Sequence, residues 1–258
     1  MSPCLNGQPD GRIGCREEYR EERHATKLGA VRHRSSAVEL SIRNRAVVGS
    51  IPTGGSLITP QPIILEGRGI RLEPLVEAHT EGLAAAASDG RLWELWYIAV
   101  TPPDTMHTYV ADALKGQREG HMLPWVVRDV ASGRIIGTTR YHDIQPNIER
   151  VEIGYTFYGQ SHHRTHVNTT CKLILLEHAF DKLGAKCVGL RTDNFNFRSQ
   201  QAIAALGAKK DGVIRHFGIR RDGSVRDVVM YSILAAEWPD VRRHLELRLQ
   251  RHDHPSRT

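Results

Sequence analysis

Long apolar runs are missing from this sequence. The longest purely aliphatic stretch is LILL at residues 173–176, far short of the roughly 20 residues that a membrane-spanning helix needs. The first 23 residues, MSPCLNGQPDGRIGCREEYREER, hold no apolar core. The expectation is therefore a chain without a secretory signal, cytoplasmic and with no membrane partner. Cysteine is scarce and scattered: Cys4, Cys15, Cys171 and Cys187 show no CxxC spacing. That argues against a disulfide framework or a zinc site and for free thiols in a reducing compartment. Charge of one sign is not concentrated either. The net charge is +6, yet residues 1–58 interleave nine Lys/Arg with six Asp/Glu. Binding a phosphate backbone needs clustered cations, so a nucleic-acid partner is not expected. An anionic cofactor would suit this balance.

What is present fits a globular protein. Of the 258 residues, 40% are apolar and 25% charged, enough to bury a core. Two regimes are visible. Residues 1–59 show no sustained period and run into the breaker-rich IPTGGSLITPQP at 51–62, so they read as a disordered N-terminal extension and linker. Residues 60–240 are regular and read as one domain, with 241–258 as the end of a C-terminal helix and a tail. The stretch PIILEGRGIRLEPL alternates as a strand or hairpin, and two helical segments follow. MLPWVVRDV, SGRIIGTTRYHDI and RVEIGYTFY are β-rich runs separated by turn residues. A helix, a strand, a short helix, two strands and a final helix complete the order. This pattern predicts an α/β (α+β) architecture, a mixed sheet with helices on both faces.

The stretch QSHHRTHVNTTCK at residues 160–172 places His162, His163 and His166 within five positions. His163 and His166, three apart, with His142 on a strand, would be a conceivable metal set. No carboxylate or thiolate stands at matching spacing, so no metal is expected. The alternative is a phosphate-binding turn, in which the amides and dipole of a helix N-terminus face an anion.

Four pieces line up in order: IRLEPL at 70–75, VEIGYTF at 151–157, HRTHVNTTCKLILLEHAFDKLG at 163–184 and RTDNFNFRSQQAIAALGA at 191–208. The last carries T-D-x-x-N-x-x-S-x-x-A-x-x-x-L-G-A through Thr192, Asp193, Asn196, Ser199, Ala202, Leu206, Gly207 and Ala208. Over residues 62–238 the chain resembles the GCN5-related N-acetyltransferases (GNAT), within them the ribosomal-protein N-terminal acetyltransferase branch, RimJ/RimL-like. The resemblance implies a seven-stranded, mostly antiparallel sheet split between its fourth and fifth strands, with acetyl-CoA in the cleft. It implies acetyl transfer to a primary amine, a protein N-terminal α-amine or a small amine, by direct attack in a ternary complex. A monomer or homodimer would serve.

It also implies a site. The family's turn, Q/R-x-x-G-x-G/A, maps onto residues 163–168, with His166 where a glycine is usual. Arg164 would meet a phosphate, Thr165 and Asn168 would add hydrogen bonds, and His163, Val167 and Thr169 complete the turn and helix start. Backbone donors near Thr156, Phe157 and Tyr158 would hold the thioester carbonyl. Asn196 would bind the pantetheine arm or cap its helix, and Ser199 would contact the coenzyme near sulfur. Alternation along the strand turns Glu152 away from the face of Val151 and Ile153, toward solvent or cleft. It is the candidate base, with an ion pair as the plain alternative. Tyr231 is a distant candidate acid, against a core aromatic, and Trp93 and Trp96 would wall an acceptor groove or pack the core. His166 in a glycine position also motivates a second expectation, a non-catalytic CoA-binding or sensor module on the same fold.

Overall fold

Apolar–polar alternation on either side of Arg68-Gly69 makes a hairpin of β1 (Leu65–Gly67) and β2 (Ile70–Pro74). Both turn residues hold positive φ, 49° and 77°, as a two-residue hairpin turn requires. The computed structural model describes residues 58–98 and 100–253. After the hairpin come α1 (Thr80–Ser88) and α2 (Met106–Arg118), then three antiparallel strands: β3 (Met122–Asp129), β4 (Ile135–Gln145) and β5 (Arg150–Tyr158). Helix α3 (Val167–Glu177) ends in one π-helical turn, His178–Lys182. Then follow β6 (Cys187–Asp193), α4 (Phe197–Ala204), β7 (Lys209–Ile219), β8 (Val225–Leu234) and α5 (Trp238–Asp253).

Among the described residues the sheet has eight strands in the order β1-β2-β3-β4-β5-β6-β8-β7, antiparallel except for β5 beside β6. The seven strands expected are joined by the three-residue β1, so the expected split falls between β5 and β6 here. Period-two alternation divides the core. Val126 faces the cluster that α1 and α2 cover, while Trp125 and Val127 face the cluster under α3 and α5.

The expected domain limits need correction at both ends. Ile58 is fully buried in the larger core cluster, so the fold begins before residue 60. A boundary at 240 cuts α5, which buries Val241, Leu245 and Leu249 at helical spacing in that same cluster. The expected disorder of the N-terminal extension concerns residues that, but for Ile58 and Thr59, lie outside the described ones. Among the described residues no helix is long and apolar enough to cross a membrane.

Candidate active site

Strands β5 and β6 pair only through Arg150–Cys187, Val151–Val188 and Glu152–Gly189, and then part. A bulge bends β5 beyond that point. Gly154 pairs with Arg140 and Phe157 with Thr138, so Thr139 alone faces both Tyr155 and Thr156. Tyr155 holds φ at 51°, the left-handed extra residue that kinks a strand and leaves its ladder unpaired. The separated strands wall a cavity of about 660 Å³, within the size range of small-molecule sites.

One end of the cavity meets the N-terminus of α3. The carbonyl of His166 accepts from Thr170 N–H at 2.8 Å. Among the described residues the amides of Asn168 and Thr169, and those of Arg164 and His166, have no protein acceptor. Unpaired amides beside a positive helix end make an anion site. His163, Arg164, Thr165, Asn168 and Thr169 line the cavity, as do Thr156, Phe157, Tyr158, Asn196 and Ser199. His166 and Val167 do not. His166 lies 3.3 Å from the Thr170 hydroxyl through Nδ1, and Val167 is buried in the core. His166 adopts an ordinary helical conformation, φ −66° and ψ −20°; the left-handed residue of the turn is Arg164, at φ 61°. The departure expected at His166 therefore lies at Arg164, and the motive for a non-catalytic module goes with it.

Several expected ligands are partly engaged by the protein. The Thr165 hydroxyl donates to His162 O at 2.7 Å and accepts from Val167 N–H at 3.3 Å. His163 Nε2 is 2.9 Å from Tyr158 O, and burial, then the Arg198 charge, holds its pKa down. Asn196 caps α4, its Oδ1 accepting from Ser199 N–H at 3.0 Å, and still lines the cavity. The walls carry Arg164, Arg198, Arg226 and Arg248. The one lining carboxylate among the described residues, Asp193, is clamped by Arg220 at 2.8 and 3.1 Å. Such a surface fits a polyanion and repels a polycation.

Glu152 needs correction. It is 1% exposed and does not line the cavity. Its Oε1 accepts from Arg150 Nη2 at 2.8 Å, and its Oε2 is 3.4 Å from Arg191 Nε. It faces neither solvent nor cleft. Its carboxylate is taken up by two guanidinium groups and lies outside the cavity wall. His142, Asp143 and Glu152 bring ligand atoms within 4.8 Å of one another, but the Arg191 side chain already contacts all three. It lies 3.3 Å from His142 Nδ1 and 3.4 Å from Asp143. A cation is thus already there. The conceivable set of His142, His163 and His166 does not assemble among the described residues. Tyr231 packs in the core. Trp96 is 46% exposed and lies over Arg220, 4.6 Å away, and near Phe195. Trp93 supplies its carbonyl to Arg221.

Sequence reasoning missed Lys172. It sits on α3 between Cys171 and Leu173, 5% exposed, and lines the cavity with Nζ 2.8 Å from Thr156 Oγ1. Burial lowers its pKa to about 8. The signal was a lysine inside the apolar pattern of a helix buried nearly all round.

The sequence profile of the Acetyltransferase (GNAT) domain matches residues 70–209. The uncharacterized N-acetyltransferase YoaA of Bacillus subtilis (strain 168) is 25% identical over 122 residues, 47% of this chain and 67% of YoaA. A GCN5-related N-acetyltransferase from Brucella melitensis superposes with a TM-score of 0.65 at 27% identity, covering 73% of this chain and 86% of that one. RimJ of Mycobacterium smegmatis, solved with a CoA disulfide, gives 0.62 at 17% identity over 74% of this chain and 96% of its own. At that identity the likeness is one of fold.

Proposed function

From the premise that the chain belongs to the GNAT acetyltransferase family and is an acetyl-CoA-dependent N-acetyltransferase, we propose that its acceptor is a protein N-terminal α-amine, with a small monoamine as the simpler relative. One observation carries this choice. Leu92, Tyr97, Ile98, Val100 and Tyr109 give the cavity an apolar and aromatic part of its wall, and the one lining carboxylate among the described residues is tied to Arg220. An amine with an apolar neighbour fits there, and a polyamine finds no counter-charge.

In this reading the amides of Asn168 and Thr169, with Arg164, hold the coenzyme's pyrophosphate. Asn196 and Ser199 border the pantetheine arm, and the Ser199 hydroxyl steadies the departing sulfur. The bulge at Tyr155–Thr156 frees backbone donors toward the thioester carbonyl, where charge develops during attack. The coenzyme supplies an acyl group activated as a thioester, and the protein supplies position.

The test is a panel of acceptors with acetyl-CoA: peptides beginning with Ala, Ser or Met, benzylamine and spermidine, followed by mass spectrometry and thiol release. One acetyl gained at a peptide N-terminus, with spermidine inert, is expected. Preference for spermidine would overturn the acceptor assignment.

A further inference from the structure

We propose that Lys172 carries the proton of the reaction, accepting it from the attacking nitrogen and returning it to the departing sulfur. The proposal rests on the acetyl-transfer reading above. Lys172 reaches the cavity from α3, beside the bulge where β5 leaves β6. Its Nζ donates to Thr156 Oγ1 at 2.8 Å, and that oxygen lies 2.8 Å from Thr139 Oγ1. An ammonium has three donors, and one acceptor is in place. Among the described residues no carboxylate lies within ion-pair distance of it. A buried lysine without a counter-ion is rare and costly, whereas a methionine would suit the same apolar surroundings. The same side chain lines the cavity, beside the bulge of β5.

The buried titratable groups packed beside Lys172 do not compete. Beside Lys172 on α3 is Cys171, its thiol pushed up to about 11 by burial, and next to that the Tyr158 phenol of β5 is raised well above its usual value. On β4, burial and then the charges of Arg191, Arg140 and Lys172 lower His142 to about 3. Both acids are too weak and the histidine is too weak a base near neutral pH, while Glu152 is ion-paired outside the cavity. Lys172, lowered to about 8 by burial, matches a group that must both take and give a proton at working pH.

The step balances with a neutral amine as reactant. The nitrogen lone pair attacks the thioester carbon and forms the C–N bond. The nitrogen's extra proton passes to the neutral Lys172 amine. The C–S bond breaks with its electron pair on sulfur, and Lys172 ammonium gives that proton to sulfur. Amide and free thiol result, and Lys172 ends neutral as it began.

Two measurements on the full chain test this. The first needs no turnover: protein labelled with [ε-13C]lysine is titrated by NMR with and without CoA, and Lys172→Met identifies the resonance. A midpoint near 8 that responds to CoA is expected. A midpoint near the ordinary 10.5, or indifference to CoA, overturns the proposal. The second is the pH profile of kcat, with acetyl-CoA and whichever of an alanine-first peptide or benzylamine the parent uses. Lys172→Met should lower kcat at least about 100-fold, abolish the rise near pH 8, and leave CoA affinity within about threefold. It should also melt no lower than the parent at pH 7, because it removes a buried charge; a purely structural lysine would give the reverse. If Lys172→Met does not fold, Lys172→Gln serves. A variant within threefold of the parent removes the Lys172 role alone, whereas a parent that turns over no acceptor removes the acetyl-transfer reading and this role with it.

Discussion

Arg164 holds a backbone conformation, φ 61°, that costs a residue with a β-carbon roughly 1–2 kcal/mol and glycine almost nothing. The residue sits exposed at the cavity mouth beside unpaired amides, so the strain is tolerated where a fixed positive charge meets the coenzyme. Arg164→Gly separates the two effects. Strain is relieved, but the unfolded chain gains entropy worth about 0.4–1 kcal/mol. The net is a gain of up to about 1.6 kcal/mol, or a melting point higher by about 3–6 °C at most. The lost charge, exposed and screened, should weaken CoA binding about fivefold. Thermal scans and calorimetry with CoA read both. A lower melting point would refute the strain, and unchanged affinity would refute the contact.

At the scale of elements, the cavity exists because two adjacent strands pair for three residues and then separate, and the last pair is Glu152–Gly189. A β-carbon on Gly189 would come within 2.7 Å of Glu152 Cγ and 2.8 Å of Arg150 Nη2. Glycine is what lets the ion cluster sit across the junction. That cluster ties β4, β5 and β6 together through His142, Glu152, Arg150 and Arg191. Glu152→Gln keeps the shape and removes the charge between two guanidinium groups. Because the arginines are about a quarter exposed, the loss should be roughly 1–3 kcal/mol rather than the larger cost of a fully buried pair. Urea denaturation measures it. Turnover should change by the same factor at every pH from about 6.5 to 9. A fall of 100-fold or more that shrinks as pH rises would restore Glu152 as the base.

Over the whole molecule, most elements were legible because their signals are local. Strand alternation, the spacing of the apolar residues of α3 and the turn glycines all act within a few residues. The eight-position motif likewise located Asn196 and Ser199 on the cavity wall. What could not be read depends on distant partners. Glu152 alternates as an outward strand residue, and only the arrival of Arg191 from β6 makes its surroundings an ion cluster. Lys172 interrupts the apolar pattern of α3, but only the contact with Thr156 of β5 places it at the cavity. Tertiary burial also sets the response to acid. His79, His142, His163 and His178 all have pKa values lowered chiefly by burial, His142 to about 3. The unfolded chain therefore binds protons near pH 6.5 that the folded chain refuses. Stability contributed by keeping these rings neutral is whole above about pH 6.5 and falls as pH drops through that value. For His142 alone, pH 5 lies about 1.5 units below the unfolded value, a loss of roughly 2 kcal/mol. The carboxylates with lowered pKa, such as Glu73 and Asp89, act only below about pH 4.5. Glu177, raised chiefly by burial, acts above it with the opposite sign, so a net loss between about pH 6.5 and 4.5 belongs to the histidines. Urea denaturation at pH 7.5, 6.5, 5.5 and 5 should show stability dropping steadily once pH passes 6.5. His142→Gln, which keeps an acceptor for Arg191, should flatten that slope by about the His142 share. A parent equally stable at pH 7.5 and 5 would mean that these rings are solvated in solution.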